Sequence, residues 1–240
     1  MKTTITNTVL ASLLAAGSVS AALVNVNFHN DSGGETEADL DGPLGGASST
    51  WNQSTSASGT DVLNSANVAT TIDWAFAHSL EENDTNNWAD PARKMLIGSF
   101  GQFGKGEDST LTISGLVAGQ LYNVAIAASR LRNNGTEHSY GTFSTSNNTT
   151  SGSQTVDGIT SLNGDAWELG VNHALFENVE ANGSGEISFL ADALDNDELF
   201  AGSLARRFHL NGFQIESVPE PSTTALLGLG GLALILRRRK

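Results

Sequence analysis

Five histidines, 26 aspartates and glutamates and not one cysteine set the chemistry open to this 240-residue chain. His29, His78, His138, His173 and His209 are scattered, so no H-E-x-x-H zinc helix forms, and no G-x-S-x-G turn offers a nucleophilic serine. Without cysteine there is no thiol nucleophile, no disulfide and no thiolate zinc site. The stretch GSFGQFGKGED at 98–108 imitates a phosphate-binding loop. Gly106, however, follows Lys105 where a Ser or Thr is needed on the metal, and the first glycine is out of place. It reads as a loop or hairpin end. Carboxylate pairs for glycoside hydrolysis can meet from different strands, yet no acid is set apart by its neighbours, so a secreted hydrolase ranks below non-catalytic roles.

Binding chemistry is better represented. Trp51 and Trp88 lie in polar loops, where indole rings stack on sugar faces while amides, carboxylates and guanidinium groups supply hydrogen bonds. Trp74 falls in a strand pattern and reads as core. Arg130 and Arg132, two apart, point to one side of a strand, which suits carboxylate or sugar recognition as well as neutralisation of nearby acids. For metals, only hard oxygen ligands are available. DLDG at 39–42 opens like a calcium loop with Asp39 and Asp41, but its twelfth position is Thr50 rather than Glu, which excludes an EF-hand. DNDE at 195–198, with Asp195 and Asp197, is a similar acidic loop. Structural calcium is the one cofactor these stretches admit, against a default of solvated acid.

The elements that must position these residues are strands. Alternating or β-branched runs recur at 23–28, 70–76, 94–100, 109–114, 121–129, 140–146, 172–179, 185–191 and 207–216, bounded by Gly, Asn, Asp and Ser, and none has a sustained helical apolar face. The pattern predicts an all-β, antiparallel sandwich, because a single sheet leaves one apolar face uncovered. In LTISGLVAGQLYNVAIA, Leu116, Gly119 and Tyr122 have the spacing L-x-x-G-x-x-Y, which resembles the tyrosine corner of Greek-key sandwiches. The order of strands and loops also resembles, at the level of architecture, the galactose-binding-like jelly rolls of carbohydrate-binding modules. That resemblance implies a polysaccharide ligand and carries no diagnostic residue.

Both ends carry addresses. MKTTITNTVLASLLAAGSVSAA has a basic start, a short apolar run and small residues near Ala21, the layout of a signal peptide over 1–21. A body at 22–217 follows, with seven basic against 25 acidic residues and hence a formal charge of −18. So acidic a surface repels nucleic acid and anionic lipid. The segment 218–240 closes the chain with Pro219-Glu220-Pro221, an apolar run from Ser222 to Leu236, and the basic cluster Arg237, Arg238, Arg239 and Lys240. As a helix the run reaches about 22 Å, short of a bilayer core of ~30 Å. Motif, helix and basic end in this order resemble the PEP-CTERM sorting signal, a tail also known as the ice-binding protein C-terminal domain.

The resemblance implies a protein exported by the secretion machinery of a Gram-negative bacterium and held transiently in the inner membrane, facing the periplasm. Arginines stop the helix on the cytoplasmic side. An exosortase then releases the protein near Pro219–Pro221 to the envelope surface or extracellular matrix. A helix that holds only until processing has no need of full length, although a lasting anchor is the alternative. Ice binding is not implied, since no threonine repeats at a fixed strand period.

Overall fold

The computed structural model describes residues 23–28, 42–45, 50–54, 56–77, 80–82, 99–104, 107–128, 137–157, 167–193 and 205–219. Among them there are strands and turns and no helix. The strands are β1 (Leu23–Phe28), β2 (Asn52–Ser54), β3 (Ser58–Gly59), β4 (Asp73–Phe76), β5 (Leu80–Glu82), β6 (Ser99–Gly104) and β7 (Asp108–Ser114). They continue with β8 (Leu121–Ala127), β9 (Glu137–Thr145), β10 (Gln154–Asp157), β11 (His173–Glu180), β12 (Ile187–Asp192), β13 (Ala205–Leu210) and β14 (Gly212–Ser217). Ala22–Ser217 form one compact unit.

One sheet runs β11-β8-β14-β1-β2, the other β3-β4-β7-β12-β9-β13-β6-β5 with β10 paired to β9. Antiparallel pairing dominates. The expectation of a wholly antiparallel sandwich needs correction at two places, because β2 joins β1 and β13 joins β9 in parallel. Alternation sends Val24, Val26 and Phe28 of β1 inward to meet Leu111 and Ile113 of β7, all fully buried. Aromatic rings bridge the sheets: Phe28 stacks on Trp74 of β4 at 4.8 Å, and Phe176 of β11 meets Phe189 of β12 at 4.9 Å.

The run 207–216 contains two strands rather than one. At Asn211 the chain leaves the larger sheet and enters the smaller, its N–H donating to Ala127 O at 2.8 Å and its carbonyl accepting from Phe28 N at 2.9 Å. GSFGQFGKGED likewise departs from expectation, since Ser99–Gly104 pair as β6 with β13 and β5. The tyrosine corner forms as its spacing predicts. Tyr122 Oη accepts the Val117 N–H at 3.0 Å, Gly119 takes a φ of 76°, and Leu116 is buried beneath the turn.

Register gives the body two poles. Leu23 pairs with Glu216, and Ser217 with Tyr122, so the start of β1, the start of β8 and the end of β14 share one pole, with the end of β11 beside them. Phe28, Ala127, Gly212 and His173 mark the opposite pole.

Candidate functional site

The outer face of the five-stranded sheet departs from the usual solvated surface. Asn25, Asn27, Gln214 and His173 alternate with inward apolar residues and so point outward, yet all are buried. Gln214 is held under the turn at 42–45: its Oε1 accepts the Leu44 N–H at 2.8 Å, while Nε2 donates to Gly45 O and to Asn25 Oδ1, each at 2.7 Å. A Cβ on Gly42 would overlap the Gln214 amide, so only glycine fits this approach. Asn25 in turn donates to Thr50 O at 2.9 Å.

One row towards the far pole, the paired residues are Gln53, Asn27, Gly212, Ala127 and His173. Gly212 of β14 and Ala127 of β8 thus separate Asn27 on β1 from His173 on β11. Asn27 is fully buried and neither atom of its amide has a hydrogen-bond partner. At the β11 end, Asn172 Oδ1 accepts the Glu168 N–H at 2.9 Å and lies 3.0 Å from His173 Nδ1. The same oxygen therefore accepts from a protonated Nδ1, which leaves Nε2 bare in the neutral ring. Burial pushes the His173 pKa down to about 4. Trp167 meets the imidazole edge-on at 5.9 Å, with its indole N–H unpartnered.

Trp51 requires a correction. Expected as a sugar platform on an exposed loop, it is 1% exposed and among the largest fully buried side chains, although it stands apart from the inter-sheet core. Both ring faces are already covered. The reason is local: Thr50 is tied to Asn25, and Asn52, one residue on, donates to Asn25 O and Leu63 O and accepts from Leu63 N, all within 2.9 Å. The loop is thereby pinned against β1, with the indole turned into the protein. Trp74 sits in the core as expected.

Trp88, Arg130, Arg132, Asp39, Asp41, Asp195 and Asp197 lie outside the described residues, as do the segment 1–21, Glu220, Pro221, the apolar run and Arg237–Lys240. Of the sorting motif, Pro219 is described: it follows the end of β14 by two residues and is exposed. Among the described residues, no helix is long and apolar enough to cross a membrane, and no group of three His, Asp or Glu side chains is placed to hold a metal.

At the pole where β14 ends, three turns enclose an open cleft of about 660 Å³. Asn147 fixes one wall, donating to Glu180 O and Glu186 O and accepting from Ser188 N and Thr145 Oγ1. The tyrosine-corner turn forms another through Gly119 N–H to Ala181 O at 2.9 Å. Asn182, whose Oδ1 accepts from Ser184 N and Glu186 N, holds the third. Sequence reading missed this site because the polar stretch 144–153 and the turn at 181–186 look like solvated loops until their bonds are seen.

With a β-sandwich body that ends at Ser217 and an exposed proline just beyond it, this is an all-β domain followed directly by a tail. Residues 217–240 match the family described as the PEP-CTERM protein-sorting motif. The match indicates an exported protein, sorted through the membrane and ending at the cell surface or outside the cell. No curated protein matches the chain. Among solved structures it is similar to the ANX1 ectodomain from Arabidopsis thaliana, at 14% identity and a TM-score of 0.41 over 84% of this chain. The chain spans 53% of that ectodomain. It is also similar to TmCBM61, solved in complex with β-1,4-galactotriose, at 12% identity and a TM-score of 0.31 over 60% of this chain and 88% of that one.

Proposed function

We propose that this protein is a non-catalytic structural or adhesive component of the cell surface or extracellular matrix. Its jelly-roll body is delivered through the inner membrane and released by an exosortase that acts on the tail. The observation that carries this reading is the sorting motif at residues 217–240, joined without a linker to the last strand of a closed domain. Pro219, with no N–H to donate, cannot extend the β ladder beyond Ser217, and a Pro-x-Pro sequence disfavours helix, which suits a segment that a protease must bind. The acidic body and its lack of catalytic motifs support a role in solution or matrix rather than turnover. Deletion of Ser222–Lys240 tests the tail. The truncated protein should appear in the periplasm or medium, and its retention with the inner membrane would refute the role assigned to the segment.

A second reading, binding of neutral polysaccharide, is supported by the amide-lined cleft at the pole where β14 ends. Neutral hydroxyl-rich ligands match groups that neither attract nor repel charge, in a body whose surface rejects polyanions. Binding of soluble neutral oligosaccharides by the exported protein is its test.

A further inference from the structure

We infer that the cleft at the tail pole is a binding site for a neutral, hydroxyl-rich ligand such as a short stretch of glycan, distinct from the outer sheet face; this rests on the polysaccharide-binding reading above. Ligand chemistry follows from the lining. Ala118, Gly119, Ala181 and Gly183 are small lining residues that let a ligand approach the backbone. No aromatic ring or long aliphatic chain lines it, which rules out an apolar guest. Glu180 is the single charged lining residue, and its carboxylate disfavours anions.

The polar groups at the rim are partly unspent. Asn148 Nδ2 donates to Glu180 Oε2 at 3.1 Å, which fixes both side chains while leaving Asn148 Oδ1 and Glu180 Oε1 as acceptors. Asn182 spends its Oδ1 on the turn and keeps Nδ2 as a donor, and the Ser146 hydroxyl is exposed beside them. Donors and acceptors set side by side match the vicinal hydroxyls of a sugar, each of which both gives and takes a hydrogen bond. Rigidity supports the same conclusion. Asn147 makes three hydrogen bonds to neighbouring elements, at Glu180, Glu186 and Ser188, and the tyrosine-corner turn is pinned to Ala181, so little ordering is left for binding to impose.

The site also has a position. β14 ends at Ser217, paired with Tyr122, and Leu121 beside it pairs with Glu180 at the cleft rim. A glycan held there lies at the pole from which the sorting segment departs, so binding and release act on the same end of the body.

Titration calorimetry of the mature protein, purified from its host, with neutral trisaccharides of β-linked glucose, galactose and N-acetylglucosamine tests this. Two variants approach the site in different ways: Asn148→Ala with Glu180→Ala removes rim groups, and Gly183→Trp fills the cleft from a position where an added Cβ meets nothing within 4 Å. Weakening of trisaccharide binding by about tenfold or more in both is the expected result, through the loss of roughly two hydrogen bonds in the rim variant and through steric exclusion in Gly183→Trp, whose unfolding midpoint stays unchanged. Binding by the parent that neither variant alters overturns the assignment to this cleft and leaves the polysaccharide reading intact. A parent that binds none of the sugars refutes both. Calcium chloride binding that Glu180→Ala abolishes, without sugar binding, overturns the ligand class.

Discussion

His173 makes the outer sheet face testable through pH. Its folded pKa of about 4 lies below the ordinary histidine value of ~6.5 because burial penalises the charged ring. Between these values the unfolded chain takes up a proton that the folded protein refuses. Stability is therefore full above about pH 6.5 and falls as pH drops towards 4. At pH 5 the unfolded state gains about 2 kcal/mol from this group alone, and the limiting loss below pH 4 is about 3 kcal/mol. The perturbation is His173→Gln, which removes the titration while keeping a polar group beside Asn172. Urea unfolding of the body, followed by tryptophan fluorescence at pH 8 and pH 5, gives the two slopes. Carboxylates titrate in both proteins and cancel, so the parent should lose about 2 kcal/mol more than the variant over this interval. Equal losses, within about 0.5 kcal/mol, would refute the claim that the sheet face excludes water from the ring.

Three further predictions concern packing and processing. Trp51→Ala should destabilise the body by about 3–5 kcal/mol, the range for truncating a buried aromatic, as read in the same urea titration; a change under about 1 kcal/mol would show that the ring is exposed. Gly115→Ala forces a Cβ into Thr71 O at a φ of 72° and should cost more than about 2 kcal/mol, whereas Gly183→Ala, with open space, should change little. Replacing Pro219 and Pro221 by alanine should leave an unprocessed precursor with the inner membrane, and identical mass and location in mutant and parent would refute the assignment of the motif.

Strands with strong period-two patterns were legible in the sequence. β1, β7, β8, β11 and β12 lie where alternation of Val, Ile, Leu and Phe places them, because each buries one face against the other sheet. The short strands were not. β2, β3 and β10 are two to four residues long and largely polar, and they exist through pairing with neighbours such as β9 rather than through any pattern of their own. The break at Asn211 was hidden for a similar reason: alternation continues through it while the hydrogen-bond partners change sheet. Tyr122 was readable because a tyrosine corner needs Leu, Gly and Tyr at fixed spacing. Trp51 was misread because Ser and Thr neighbours suggest a solvated loop, whereas the tethers from Asn25 and Asn52 that bury it are long-range. His173 carried no signal at all, since its burial depends on packing and on Trp167 rather than on adjacent sequence.

Intact mass of the protein recovered from the envelope and medium of its host tests the central claim most directly. Sorting predicts a species that has lost both the first 21 or 22 residues and the segment beyond Pro219–Pro221. A mass that retains Arg237, Arg238, Arg239 and Lys240 would contradict it and make the short apolar run a lasting anchor.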